Sequence, residues 1–206
     1  MKPRRLEPLW RDGWWAGARP LPSPNFGPRP DNEPPGLVVL HSISLPPGVF
    51  RGDAVQHLFT NALDSDRHPY FDRLRALRVS AHFFVRRSGE VLQFVACNQR
   101  AWHAGVSSWR GRDSCNDWSV GIEIEGLEGL RFANVQYRVL SRLLCAVVNQ
   151  YPIREIVGHE HVAPGRKTDP GPGFDWLRLR PRLCGCRARA WPLLDDWALF
   201  HATRSP

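Results

Sequence analysis

Three patterns of apolar and polar residues predict the central elements of the fold. Residues 37–40 are apolar at every position and lie between Pro/Gly pairs, which is typical of a strand buried on both faces. Residues 119–126 alternate in polarity with a period of two, which predicts a second strand. Apolar residues between Leu140 and Tyr151 recur at helical spacing before Pro152, so we expect a helix there that Asn134 caps.

Shorter elements complete the pattern. Residues 82–87 and 90–95 are rich in β-forming side chains, and Ser88-Gly89 between them predicts a hairpin with a two-residue turn. Four other elements are predicted: helices at 54–63 and 69–77, a strand at 154–158 and a helix that begins near Asp175. Because a hairpin is antiparallel, the sheet that contains it is expected to be mixed.

The length and composition favour one main domain. A chain of 206 residues that is 42% hydrophobic can bury a single core. Residues 1–19, with three tryptophans, are expected to be an N-terminal arm. The main domain then covers residues 20–183, and its proline-dense start, 20–36, predicts an extended wrap and excludes a helix. Residues 184–206 are a C-terminal extension without a clear pattern.

The net charge of +8 favours anionic partners in general. The arginines near the C-terminus do not form a continuous basic face and no nucleic-acid motif is present, so we expect no nucleic acid as a partner. Residues 1–8 are not followed by an apolar signal region, and no stretch is long enough to span a membrane. Five cysteines without CxxC spacing agree with a reducing compartment, so we expect a cytoplasmic protein without a membrane partner.

The candidate chemistry is concentrated in residues 158–172, where His159 and Asp169 offer an imidazole and a carboxylate. Zinc prefers such ligands, and a catalytic zinc keeps one of four positions open. His41 is the best third ligand because it ends a buried strand, where α/β proteins build their sites. His161 competes with His159 on sequence alone, but it lies deeper in the loop, so a role in supporting a ligand or a surface position suits it better.

Hydrolysis of an amide at such a site also needs a base and a cation. Glu123 and Glu125 lie on one face of their predicted strand, and either suits the base, although glutamates in this pattern are commonly a solvated strand edge. Lys167 precedes Asp169 by two residues and would stabilise an oxyanion, a contribution of about 3–4 kcal/mol for comparable donors. A solvent-exposed loop lysine is the alternative.

Six motifs in fixed order carry a resemblance to a known family. They are HSISLPPG at 41–48, RVSAH at 78–82, RAWHAGVS at 100–107, CND at 115–117, GIEIEG at 121–126 and GHEHVAPGRKTDPGP at 158–172. Together they resemble the AmpD family, cytoplasmic zinc amidases of peptidoglycan recycling, from about Gly13 to Leu179. The resemblance implies a single α/β domain in which helices flank a central mixed β-sheet.

The resemblance also implies roles for individual residues. It implies Zn²⁺ held by His41, His159 and Asp169, catalysis by Glu123 rather than Glu125, and transition-state stabilisation by Lys167. The implied substrate is an anhydro-muropeptide. The implied reaction is hydrolysis of the amide between the lactyl group of 1,6-anhydro-N-acetylmuramic acid and L-alanine.

Substrate-binding residues are implied less specifically. Arg78, Trp102 and His103 match family positions near the stem peptide and the sugar, where an arginine suits carboxylates. Relatives often carry an arginine where this chain has Ser114, and Arg112 is a possible substitute for it.

Two other functions stay open at this point. One is an amidase that acts on intact peptidoglycan, and the other is a module that binds peptidoglycan without cutting it. Because non-catalytic relatives lose a zinc ligand and all three are present here, the resemblance favours an enzyme. We expect it to be a monomer.

Overall fold

The structure is a computed structural model that describes residues 9–179. The strands in this range are β1 Trp10–Arg11, β2 Trp14–Trp15, β3 Arg19–Pro20, β4 Phe26–Pro28, β5 Leu37–Ile43, β6 Phe83–Val85, β7 Val91–Gln93, β8 Gln99–Ala101, β9 Ser108–Trp109, β10 Arg112–Asp113, β11 Ser119–Glu125 and β12 Glu155–Gly158. The helices are α1 Ala54–Phe59, α2 Pro69–Asp72, α3 Asn134–Gln150, α4 His159–Val162 and α5 Trp176–Leu179.

A six-stranded sheet in the order β12-β5-β11-β6-β7-β3 forms the centre of the domain. Strands β12, β5, β11 and β6 are parallel, whereas β6 and β7 pair antiparallel. The sheet is therefore mixed, and the expected α/β fold is confirmed. Because parallel strands end at the same edge, the carboxyl ends of β5, β11 and β12 meet there.

The two central strands are buried on both faces. Val38 and Leu40 of β5 pack in the same core cluster as the apolar side of α3, which includes Leu140 and Leu144. Leu37 and Val39 point the other way, into a second cluster with Val157 and Val162. All seven residues of β11 are buried as well. Both faces of β11 are therefore shielded from solvent. Glu123 and Glu125 do not belong to a solvated strand edge.

Helix α3 follows the predicted pattern, but its first turn differs from the prediction. Asn134 is the first helical residue rather than the cap, because Ala133 is the last residue with extended backbone. Gln136 completes the helix start: its Oε1 accepts a hydrogen bond of 2.9 Å from the Ala133 N–H. Tyr151 leaves the helical conformation directly before Pro152, as expected.

The hairpin of β6 and β7 is confirmed, with a longer turn than predicted. The Arg86 N–H donates to the carbonyl of Glu90, so three residues, Arg87 to Gly89, form the loop. Gly89 has φ of 90°, a left-handed conformation that glycine adopts without strain. The predicted helices at 54–63 and 69–77 are shorter in the structure, where α1 and α2 continue into turns.

The proline-rich segment is tied to the sheet by one buried arginine. Arg29 is only 3% exposed, and its guanidinium donates to the carbonyls of Cys97, Asp117 and Ser119. Earlier in the chain, strands β1 and β2 pair with each other, and their residues Trp10 and Trp15 pack against the core cluster that contains Val38 and Leu140. The predicted extension 184–206 lies outside the described residues.

The cysteines and the hydrophobicity of the helices bear on the expected cellular location of the protein. Cys97 and Cys115 are buried free thiols. Cys145 is disulfide-bonded, so the expectation of reduced cysteines is wrong for this residue. Among residues 9–179, no helix combines the length and hydrophobicity that a membrane span requires.

Candidate metal centre and active site

Three side chains from distant parts of the chain converge at the carboxyl edge of the sheet. His41 lies near the end of β5, His159 begins α4 directly after β12, and Asp169 follows in the next loop. The His41 Nδ1 atom is 2.9 Å from His159 Nδ1 and 3.2 Å from Asp169 Oδ2, and His159 Nδ1 is 3.1 Å from the same oxygen. All three residues are buried.

This triangle fits a tetrahedral metal ion. Two ligands bound at 2.0–2.1 Å to one tetrahedral zinc lie about 3.3 Å apart, close to the three distances observed. The Nε2 atom of His159 lies 3.0 Å from the Ala104 carbonyl, which can only accept a hydrogen bond. The proton of His159 is therefore on Nε2, and its Nδ1 presents a lone pair toward the triangle. Burial lowers the pKa of His41 to about 4, so this imidazole is neutral at neutral pH.

His161, the alternative ligand, has another position. Its Nδ1 accepts a hydrogen bond of 2.8 Å from the Gly158 N–H, and its ring lies 5.9 Å from that of Trp176. The structure thus brings His159, and not His161, to the metal-ligating group.

Glu123 lies beside the metal-ligating group. In the pairing of β11 with β5 its partner is His41, so both side chains leave the same face of the sheet. Its Oε2 atom is buried and has no hydrogen-bond partner among residues 9–179. Burial raises the pKa of Glu123 well above its usual range, Asp169 raises it further, and Lys167 opposes the shift.

Glu125 differs from Glu123 although the two share a face. Its Oε2 accepts a hydrogen bond of 2.8 Å from the Arg87 N–H, so it holds the β6–β7 loop. The sequence pattern could not separate these two glutamates, but their hydrogen bonds do.

The loop that carries Lys167 and Asp169 is fixed from two sides. Arg166 donates to the carbonyls of Ala104, at 2.7 Å, and Val106, at 2.5 Å. Thr168 donates to Glu128, and the Glu160 N–H donates to the Asp169 carbonyl. Lys167 itself is exposed and lines the cleft. Arg166 and Glu128 went unnoticed in the sequence because their contacts join segments about 40 to 60 residues apart.

The group opens into a cleft of about 480 Å³. Its lining includes the apolar side chains of Leu45, Leu58, Phe59, Tyr70, Leu74, Leu77 and Val79. It also includes the polar and charged residues Glu128, Arg166, Lys167 and Thr168. A lining that combines apolar surface with polar and cationic groups suits an amphipathic ligand.

The four residues predicted to bind substrate have different positions. Trp102 and His103 line the cleft. Arg78 is not among the lining residues, although its neighbours Leu77 and Val79 are; it is exposed, and its guanidinium donates to the carbonyls of Arg75 and Leu77. Arg112 is not brought to the cleft, because its guanidinium is held by Glu33 at another cavity.

Comparisons with known proteins show the family to which the chain belongs. Residues 31–172 match the family model Amidase_2, described as N-acetylmuramoyl-L-alanine amidase. The chain is 51% identical over 174 residues to the 1,6-anhydro-N-acetylmuramyl-L-alanine amidase AmpD of Citrobacter freundii, covering 84% of this chain and 93% of that protein. It is 44% identical over 169 residues to the AmpD of Haemophilus influenzae, covering 81% and 92%.

Solved structures show the same relationship. A crystal structure of a selenomethionine derivative of AmpD superposes with a TM-score of 0.83 at 50% identity, covering 85% of this chain and 99% of that one. Escherichia coli AmiD in complex with anhydro-N-acetylmuramic acid-L-Ala-D-γ-Glu-L-Lys gives 0.54 at 28% identity, covering 85% and 65%. With the family match over most of the domain and half of its residues shared with AmpD proteins, this chain belongs to the AmpD group of the N-acetylmuramoyl-L-alanine amidase family.

Proposed function

We propose that the protein is a zinc-dependent amidase that releases the stem peptide from anhydro-muropeptides during peptidoglycan recycling. The bond cut is the amide between the lactyl group of 1,6-anhydro-N-acetylmuramic acid and L-alanine. The observation that carries this proposal is the buried His41, His159 and Asp169 group, whose ligand atoms lie within 4.8 Å of one another beside Glu123. The AmpD relatives are named for this bond, and the AmiD neighbour is a complex with the substrate anhydro-N-acetylmuramic acid-L-Ala-D-γ-Glu-L-Lys.

The mechanism divides the chemistry between the ion and the chain. When bound, zinc supplies a Lewis acid that polarises a carbonyl and activates water near neutral pH. Glu123 takes the proton of the attacking water and passes it to the leaving amine of L-alanine. Its buried and unpartnered oxygen suits this role, because burial brings a carboxyl pKa closer to the pH at which the proton is transferred.

Lys167 and the cleft walls complete the proposed mechanism. The Lys167 ammonium faces the cleft and neutralises the negative charge that develops on the scissile carbonyl oxygen. In this proposal Trp102, which lines the cleft, contacts the sugar, and the exposed Arg78 contacts a peptide carboxylate. Binding away from the scissile bond orients the amide for attack.

Mass spectrometry of products tests this function directly. Purified protein is incubated with anhydro-muropeptides and, separately, with intact peptidoglycan. We expect free stem peptide from the anhydro-muropeptides, loss of activity with a chelator and recovery with Zn²⁺. Release from intact peptidoglycan alone would favour the other amidase, and binding without any product would favour a recognition module. The expected cytoplasmic location and monomeric state stay predictions for cell fractionation and light scattering.

A further inference from the structure

His103 occupies an unexpected place for a substrate-binding residue. Its Nδ1 lies 2.9 Å from Nε2 of His41, and its Nε2 lies 3.2 Å from Oγ of Ser119. Both polar atoms of the ring are therefore engaged inside the protein, and neither is left for a substrate. The His41 and His103 rings meet edge-on, with centroids 5.0 Å apart.

The Cys115 carbonyl, which ends the series of hydrogen bonds from His41 through His103 and Ser119, determines their direction. The Cys115 carbonyl can only accept, so the Ser119 hydroxyl, 2.5 Å away, donates its single proton there. Ser119 Oγ must then accept from His103, which places the His103 proton on Nε2. The remaining His103 Nδ1 has a lone pair and accepts from the His41 Nε2–H.

This chain of hydrogen bonds determines the tautomer of His41. With its proton on Nε2, His41 presents the Nδ1 lone pair to His159 and Asp169. The reverse direction would leave the Ser119 and Cys115 oxygens 2.5 Å apart without a proton between them. The geometry therefore favours the tautomer that can bind a metal.

One short segment orients both histidine ligands. His103 holds His41 through its ring, and the neighbouring Ala104 carbonyl accepts from Nε2 of His159. Asn116 fixes this segment, because its Oδ1 accepts from the backbone N–H groups of His103, at 3.0 Å, and Ala104, at 2.8 Å.

Gly121 provides the room for the His103 ring. A Cβ atom at position 121 would lie 2.3 Å from Cγ of His103, far closer than van der Waals contact. Gly121 lies two residues before Glu123 on the same face of β11. A side chain at position 121 would therefore displace His103 from His41.

We propose that His103 is a positioning residue for the metal site: it fixes the tautomer and orientation of His41, with Ser119 setting the direction of the hydrogen bonds. This inference rests on the proposed metal-dependent function and assigns His103 a role other than substrate contact. Outer-shell partners of metal-binding histidines typically contribute about 10–100-fold to metal affinity.

Zinc affinity, measured by competition with a chromophoric chelator, tests the proposal without any substrate. We expect His103→Leu to weaken zinc binding by about 10–100-fold. His103→Asn keeps an acceptor for His41 and should recover part of the affinity. If His103 contacted only substrate, its loss would raise KM and leave zinc affinity unchanged, and that result would overturn the proposal.

Two matched serine variants keep the test decisive if His103→Leu fails to fold. Ser119 and Ser80 are both buried, and each hydroxyl donates to a backbone carbonyl and accepts from a nitrogen donor. Ser80 also lines the cleft, but within the described residues its hydroxyl bonds Asn25 and Trp102 rather than a group at the metal site. We expect Ser119→Ala to weaken zinc binding and Ser80→Ala to leave it unchanged, whereas equal zinc affinities would contradict the proposal. Because zinc binding is read without turnover, a protein that bound zinc but cut no anhydro-muropeptide would refute only the proposed function.

Discussion

Two cavities at opposite ends of the same parallel strands differ in how their charged groups are paired. At the carboxyl ends, the cleft contains His41, Glu123 and Lys167. At the amino ends, a cavity of about 760 Å³ is lined by Glu33, Arg112 and other residues around Trp109 and Trp118. Glu33 forms two hydrogen bonds with Arg112, and Glu155 pairs with Arg110 at 2.8 Å.

The same residue type therefore behaves differently at the two ends. The hydrogen bond from Arg112 lowers the pKa of Glu33, while burial raises the pKa of Glu123 well above its usual range. The ion pair with Arg112 favours the ionised form of the exposed Glu33. Burial disfavours the ionised form of Glu123 and so favours uptake of a proton. The difference indicates that the cleft keeps polar groups ready for a ligand and that the other cavity does not.

Removing Asp169 should give the largest effect. Asp169→Ala deletes one of three metal ligands, so zinc affinity should fall by more than the roughly 100-fold typical of an outer-shell loss, and turnover should disappear. Chelator competition and product analysis measure the two quantities. Glu33→Ala, which removes a carboxylate at the other cavity, is the control. Equal zinc affinity in both variants would contradict the assigned site.

Removing only the charge of Glu123 should separate catalysis from metal binding. We expect Glu123→Gln to retain zinc and to lower kcat by about 10²–10⁴-fold, the usual contribution of a general base. Single-turnover kinetics and metal analysis on one preparation provide the check. Glu125→Gln is the neighbouring control on the same strand face, and it should affect stability through the Arg87 contact rather than kcat. Undiminished turnover in Glu123→Gln would refute the role of Glu123.

Removing the ammonium of Lys167 should slow the reaction by about 10²–10³-fold, as loss of an oxyanion donor does elsewhere. Lys167→Met keeps the length of the side chain, so zinc affinity should change little. Lys167→Arg restores the charge and should recover part of kcat. An increase in KM with unchanged kcat would instead show that Lys167 only binds substrate.

Acid should destabilise the protein through its buried histidines. His82 is fully buried, and burial and the nearby Arg29 charge lower its pKa to about 3 from an ordinary 6.5. The unfolded chain binds this proton below pH 6.5 and the folded chain does not, so stability falls by up to about 1.4 kcal/mol per pH unit down to pH 3. Urea unfolding at pH 7 and pH 5 in chelator, for wild type and His82→Asn, measures the change. An identical pH dependence in the variant would contradict this origin.

Breaking a charge pair at the amino-end cavity should have the smallest effect. The Arg112–Glu33 pair is about half exposed, and such pairs contribute roughly 0–1 kcal/mol. Arg112→Met should therefore lower the free energy of unfolding by less than about 1 kcal/mol, and kcat and KM should stay the same. Denaturant unfolding and steady-state kinetics test this. A raised KM would instead support the stem-peptide role that the resemblance suggested for Arg112.

The central strands and the longest helix were predictable because their apolar patterns are local. The runs at 37–40 and 119–126 and the helical spacing before Pro152 each lie in a single segment, and each matches an element. Helix caps and turns were less predictable. Asn134 and Ser88-Gly89 fit more than one arrangement locally, and packing with neighbouring segments selected the one observed.

The sequence by itself determined the inventory of the site: imidazoles, a carboxylate and an ammonium at the ends of strands, in an order that resembles AmpD proteins. Only the tertiary structure decided which of these groups work together. It distinguished Glu123, unpartnered within the described residues, from Glu125, which bonds Arg87. It showed that Arg112 binds Glu33 at the other cavity and that His103 forms a hydrogen bond with His41. Hydrogen-bond direction and burial depend on partners far away in the chain, and a one-dimensional pattern carries no information about those contacts.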